Sequence, residues 1–299
     1  MPPSRTAVRP RTPILAGLGL VAALGLLAGT PAARAAGDDP PAPAAQRLPT
    51  LFLIGDSTVK NSTRGLQGWG DRLASEFDPA QIRVENRALG GRSSRSYRTE
   101  GLWDRVAAEL RPGDFVLVQF GHNDGGPLDR GRARASLKGT GEQTREIVNE
   151  ATGRAEVVHT YGWYLRQYIA EARARGATPI VLSPVPRNIW TADGTVARAS
   201  HDYGQWAAEV AKAEGVPFID LNDRIARRYE QEGRHKVATE YFTEDHTHTT
   251  PAGARLNAAI VAEGIRGLVD SPLRAYLAPA SRPEDTPESR DGRAAQGRT

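Results

Sequence analysis

Short apolar runs divide the chain at Leu51–Gly55, Ile82–Asn86, Asp114–Phe120, Thr178–Ser183 and Val216–Asp220. Each is rich in Val, Ile, Leu or Phe and runs out into Gly, Asn, Ser or Asp. That is the pattern of strands buried on both faces, as in a parallel sheet covered by helices. Between them the period changes. Tyr161, Tyr164, Leu165, Tyr168, Ile169 and Ala172 recur at helical spacing, and Gly176 stops that helix. Thr250 reads as an N-cap with Pro251 at the first helical position, opening a helix through Leu256, Ile260 and Leu268. Strand and helix alternate from end to end. This predicts an α/β fold, a three-layer α/β/α sandwich around a five-stranded parallel sheet. Residues 125–156 break the alternation. Rich in Gly and charge and too long for an ordinary connection, they are expected to form a loop over the site.

Composition and charge refine this picture. Cysteine is absent from the 299 residues, which excludes a disulfide framework, thiolate metal sites and a cysteine nucleophile. The formal charge of +4 is localised. Residues 1–35 hold Arg5, Arg9, Arg11 and Arg34 and no acid, leaving 35 basic against 35 acidic side chains in the rest. A folded part without basic excess does not suit a nucleic-acid binder. The first residues read as a secretory signal: a positive n-region, an apolar stretch from Ile14 to Ala28, and a small-x-small site at Ala33-Arg34-Ala35. A retained anchor is the alternative, but these 15 apolar residues are fewer than the ~20 a spanning helix needs. The organisation expected is a signal peptide (1–35), a Pro- and Ala-rich linker (36–49), one domain (50–278) and a disordered tail (279–299). Export follows as the expected location, with no stable membrane partner. Oligomeric state is not readable.

In an open α/β sheet, ligands bind beyond the carboxyl ends of the strands, so the residues just after each run carry the most information. After the first run, Gly55-Asp56-Ser57-Thr58 places a serine hydroxyl on a tight turn; the alternative is that Asp56 or Ser57 caps the next helix. After the second, Gly90-Gly91-Arg92-Ser93 lets the backbone approach a ligand, or forms a plain turn. It is no dinucleotide fingerprint, because G-x-G-x-x-G is missing. After the third, Gly121-His122-Asn123-Asp124 offers a side-chain amide to developing negative charge, or a structural turn. Ahead of the last helix, Asp245-His246-Thr247-His248 can set a carboxylate against one imidazole nitrogen and leave the other facing a nucleophile. The rival there is a metal cluster of Asp245, His246 and His248, with His122 as a further ligand. The four segments together contain the inventory for acyl transfer.

These blocks resemble the SGNH (GDSL-like) hydrolases, named for Ser, Gly, Asn and His in four separate segments. Gly68-Trp69-Gly70-Asp71, Gly91-Arg92-Ser93-Ser94-Arg95-Ser96-Tyr97, Phe120-Gly121-His122-Asn123-Asp124-Gly125-Gly126 and Asp245-His246-Thr247-His248-Thr249-Thr250-Pro251 look closer still to the rhamnogalacturonan acetylesterase branch. The resemblance runs from about Leu51 to Leu268. It implies a secreted serine acetylesterase with Ser57, Asp245 and His248 as catalytic residues. The Ser57 and Gly91 N–H groups and the Asn123 amide would form the oxyanion hole, with neither metal nor organic cofactor. The substrate expected is an acetylated polysaccharide, rhamnogalacturonan first, with acetyl-xylan, a bacterial surface glycan or a lipid ester as broader esterase alternatives; a non-catalytic glycan-binding protein is a further reading. Arg92, Arg95, His122 and Arg187 are the candidate substrate contacts, the arginines because galacturonate carboxylates suit guanidinium groups.

Overall fold

The computed structural model describes residues 47–198 and 201–279. The expected leader (1–35), linker (36–49) and tail (279–299) lie outside the described residues except at 47–49 and 279. The strands in chain order are β1 (Thr50–Gly55), β2 (Arg83–Asn86), β3 (Phe115–Gln119), β4 (Thr144–Asn149), β5 (Arg154–His159), β6 (Thr178–Leu182) and β7 (Phe218–Ile219). The helices are α1 (Ser94–Thr99), α2 (Leu102–Glu109), α3 (Tyr161–Ala174), α4 (His201–Glu214), α5 (Leu221–Glu232), α6 (Arg234–Lys236) and α7 (Pro251–Arg266).

Five strands form one parallel sheet in the order β2-β1-β3-β6-β7. Its two faces are read directly from alternation in β1. Leu51 and Leu53 point into a core with Ile225 of α5 and Ile260, Val261 and Ile265 of α7. Phe52 and Ile54 enter the opposite core, with Trp103 of α2, Tyr168 of α3 and Val210 of α4. Apolar side chains on both faces require helices on both faces, which gives the expected three layers. The strand order reverses direction between β1 and β3, so the loops after these two strands diverge and open a crevice at the carboxyl edge.

The expected strands match closely, with one reduction. The last shrinks to Phe218–Ile219. Pro217 has no N–H for the ladder and contributes only its carbonyl, which accepts from Val181 N at 3.0 Å. The helices follow their expected signals too. Thr250 Oγ1 accepts from Gly253 N at 3.2 Å, capping α7. Gly176 sits at φ 74°, just past the end of α3.

Residues 125–156 are a correction. They are a loop only as far as 143; from Thr144 the chain forms β4 and then pairs antiparallel with β5. The turn between them uses Gly153 at φ 67°. Most positions of this hairpin face solvent, so the apolar alternation that reveals buried strands is weak here.

Two buried charged groups tie this segment to α1. Arg95, expected at the substrate, is only 1% exposed. Its guanidinium grips both Glu156 oxygens at 2.6 Å and donates to Leu128 O and Ala135 O at 2.8 Å. All its donors point into protein, so it is an internal strut rather than a ligand contact. Burial disfavours the Glu156 charge, but the bonds from Arg95 outweigh it and hold that carboxyl below its ordinary pKa. Asp124, just beyond β3, is fully buried. It accepts from Ser94 N at 3.1 Å, Ser94 Oγ at 2.5 Å and Ser136 Oγ at 3.0 Å, joining α1 to the 125–143 loop. Burial raises its pKa to about 6 against the pull of those bonds.

Removing one partner of a buried pair strands the other, so Arg95→Ala should cost about 3–5 kcal/mol of unfolding free energy, read by denaturant melts. A loss below about 1 kcal/mol would show that the pair behaves like a surface bridge. For Asp124 the raised pKa means that the native state binds the proton more tightly than the unfolded chain between about pH 4 and 6. Its contribution to stability should therefore fall as pH rises through that window. The stability difference between wild type and Asp124→Asn, measured from pH 4 to 7, should change accordingly; a pH-independent difference contradicts the assignment.

Candidate active site

The turn after β1 is shaped before any side chain reacts. Asp56 Oδ1 accepts from Thr58 N at 2.8 Å and Thr58 Oγ1 at 2.7 Å, closing a tight turn around Ser57. Gln119, at the end of β3, donates to Thr58 Oγ1 at 2.7 Å and accepts from Trp69 Nε1 at 2.8 Å. This buried chain fixes the serine turn to the neighbouring strand. Gly68 lies so close beneath it that an added Cβ would stand 2.3 Å from the Val59 carbonyl carbon. Only glycine permits that approach, which explains the Gly-Trp-Gly-Asp segment.

The segment ahead of α7 arrives at the same edge. Gln67 N donates to Thr249 O at 2.9 Å and Thr249 Oγ1 donates to Gln67 O at 2.8 Å, so the chain after Ser57 is stitched to the residue after His248. As a result Ser57 Oγ and His248 Nε2 stand 2.8 Å apart. His248 Nδ1 bonds Asp245 Oδ2 on its other side. Asp245 Oδ1 accepts from Thr247 N at 2.6 Å, which orients the carboxylate. Partial burial disfavours charge on Asp245, yet the bonds from His248 and Thr247 N lower its pKa below the ordinary value. It remains an anion that can steady a positive imidazole.

Gly91 occupies the left-handed region at φ 80°, and its carbonyl accepts from Arg134 Nη1 at 2.5 Å. Among the described residues, neither Ser57 N nor Gly91 N donates to a protein acceptor. Asn123 is almost buried and spends one amide hydrogen on Arg92 O at 2.8 Å, which leaves the other available. Ser57, Gly91, Asn123 and His248 all line one cleft of about 640 Å³.

The expected substrate contacts separate into groups. Arg92 lines the cleft, but its guanidinium is paired with Glu100 at 2.8 Å and donates to Gly90 O at 3.0 Å. Arg187 lines it too, donating to Thr247 Oγ1. His122 also lines it, with Nε2 covered and without a hydrogen-bond partner among the described residues. Burial lowers the His122 pKa, opposed by Asp56 and reinforced by Arg187 and His248, so this ring is held neutral. Arg95 lies behind the wall. His246 is exposed beside Arg187, at 3.5 Å, and does not join Ser57. Among the described residues no three His, Asp or Glu side chains converge into a group that could hold a metal ion.

The cleft also contains Lys60, Arg132 and Arg134, which the sequence reading missed. The only signal was the charge-rich character of residues 125–156. Nothing in their spacing indicated that two arginines of that stretch return to the serine.

The comparisons with known proteins agree with this geometry. The GDSL-like lipase/acylhydrolase family matches residues 53–256. A rhamnogalacturonan acetylesterase of Emericella nidulans is 35% identical over 221 residues, covering 72% of this chain and 86% of that protein. A probable rhamnogalacturonan acetylesterase of Bacillus subtilis is 34% identical over 224 residues, covering 73% and 93%. A crystal structure of another Bacillus subtilis protein superposes with a TM-score of 0.61 at 25% identity, over 75% of this chain. This chain spans 58% of that longer one. With a serine and an imidazole in bonding contact at the switch point of the sheet and the family pattern running across both, the chain belongs to the GDSL-like lipase/acylhydrolase family, in its rhamnogalacturonan acetylesterase-like branch, and is a carboxylic ester hydrolase.

Proposed function

We propose that this protein removes acetyl groups from an acetylated carbohydrate, with acidic rhamnogalacturonan as the preferred substrate, by a serine mechanism. The observation that carries the chemistry is the 2.8 Å contact between Ser57 Oγ and His248 Nε2. The named relatives support the acetylated carbohydrate. A cleft lined by Lys60, Arg92, Arg132, Arg134 and Arg187 and, among the described residues, by no carboxylate supports the acidic polymer.

The residues divide the work as follows. His248 accepts the Ser57 proton as Oγ attacks the acetyl carbonyl, and Asp245 fixes the imidazole tautomer and stabilises its charged form. Charge developing on the carbonyl oxygen is met by the N–H groups of Ser57 and Gly91 and the second amide hydrogen of Asn123. His248 then delivers the proton to the departing sugar hydroxyl. Water, deprotonated by the same imidazole, releases acetate from Ser57. Anchoring by Arg92 O holds the Asn123 donor in place before the reaction, so little reorganisation is needed when charge appears. We assign the site of action outside the cytoplasm, after removal of a leader ending near Ala35, on the strength of the arginine-flanked apolar stretch at Ile14–Ala28.

Ser57→Ala and His248→Ala should each lower p-nitrophenyl acetate turnover by at least about 10³-fold, since members of such a unit act together. His246→Ala should remain within about 10-fold of wild type, because a rim contact costs little. The reverse ranking of the two histidines reassigns the base. Asn123→Ala should reduce kcat by about 10²–10³-fold with a smaller effect on KM; a pure KM effect removes Asn123 from the oxyanion hole. Acetate release from acetylated rhamnogalacturonan should exceed release from acetylated xylan, and the opposite preference makes this a neutral-glycan esterase.

A further inference from the structure

The cleft that holds Ser57 and His248 shares a wall with a second cavity of about 610 Å³. Gly90, Gly91, Arg92, Arg132 and Arg134 line both spaces. The second cavity reaches the β4–β5 turn, where Arg154 and Glu156 also line it. A glycan lying across Ser57 therefore has room to continue there for further sugar units.

The charges of this cavity do not cancel. Arg92 is matched by Glu100 at 2.8 Å. Glu156 is matched by Arg95 at 2.6 Å, from behind the wall. With both carboxylates engaged, Arg132, Arg134 and Arg154 are left, and among the described residues none of the three has an acidic partner within ion-pair distance. Arg134 is half-buried; burial lowers its pKa, as do its like-charged neighbours Arg132 and Arg92, against the opposing pull of Asp56 and Asp124. The backbone that joins the two cations is itself unusual. Ala133 is the only non-glycine residue with positive φ among the described residues, at 44°, and it is buried. Conformations of this kind persist where the surroundings over-determine them. Here the strained residue stands between two arginines that both line the shared wall.

We propose that the second cavity is a subsite for the carboxylate of an acidic sugar near the acetylated one, with Arg132 and Arg134 as its specificity-determining residues and Arg154 at its outer rim. The proposal deepens the acetylesterase reading and rests on it for the position of the ester. A uronate supplies the planar, two-oxygen acceptor that a guanidinium fork matches, whereas a neutral sugar leaves these charges without a counter-ion. Arg134 also holds the carbonyl of Gly91, so the anion seat and the proposed oxyanion donor meet at one glycine.

The test is inhibition of p-nitrophenyl acetate hydrolysis by unacetylated trigalacturonate and by its methyl ester, each inhibition constant being read against that variant's own uninhibited rate. The free acid should inhibit wild type at least about 10-fold more strongly than the ester, the scale of one charge-assisted contact. Added salt should weaken that inhibition. Arg132→Gln, which alters an exposed side chain, and Arg134→Gln should each raise the constant for the acid by about 10-fold or more. Arg105→Gln, exposed on α2 and outside both cavities, should leave it unchanged. Equal inhibition of wild type by acid and ester overturns the subsite, as does undiminished inhibition of Arg132→Gln. The acetylesterase reading fails by a different result, the absence of acetate release from acetylated rhamnogalacturonan, which does not alter these inhibition constants.

Discussion

One hydrogen bond, between Ser57 Oγ and His248 Nε2, organises the reading of this molecule, because 191 residues of chain separate its ends. Neither segment could hold its side chain alone. The serine turn is braced by Thr58, Gln119 and Trp69 against β3, and the histidine segment is bound to Gln67 through Thr249. The first support depends on β1 and β3 being neighbours at the point where the sheet order reverses. The sheet positions the two loops, and the loops position the reactive atoms, so the preorganisation that acyl transfer requires is a property of the whole α/β layer arrangement.

Charge is distributed in two distinct ways around this site. On the serine side, anionic Asp245 lies behind His248 and cations line the open cleft. Farther along, the 125–143 loop and the hairpin are held down by internal pairs, Arg95 with Glu156 and Asp124 with two serines, while Arg132, Arg134 and Arg154 line the second cavity without a carboxylate partner among the described residues. The same residue type thus serves as an internal strut at Arg95 and as a candidate recognition group at Arg132. Burial and the direction of the guanidinium separate the two uses.

Much of this was legible in the sequence, for identifiable reasons. Buried parallel strands are apolar on both faces, so β1 and β3 announce themselves as continuous runs. Caps and stops such as Thr250-Pro251 and Gly176 are local chemistry and are visible without tertiary context. The site segments were legible because strand ends in such a sheet converge at one edge. What escaped was what depends on long-range placement. The β4–β5 hairpin is largely exposed and so lacks a clear apolar alternation. Arg95 sits in a motif at the edge of the site, yet the first turn of α1 directs it inward to Glu156, which lies 61 residues away. Arg132 and Arg134 return to the serine only through the fold of an irregular loop.

In the proposed mechanism Ser57 is the nucleophile, made reactive by His248. Covalent trapping with diethyl p-nitrophenyl phosphate, followed by peptide mass spectrometry, measures this directly. A single diethylphosphoryl adduct on Ser57, formed in step with loss of esterase activity and greatly slowed in His248→Ala, is the result expected. Inactivation with the label on another residue, or equal labelling of Ser57 with and without His248, would contradict it.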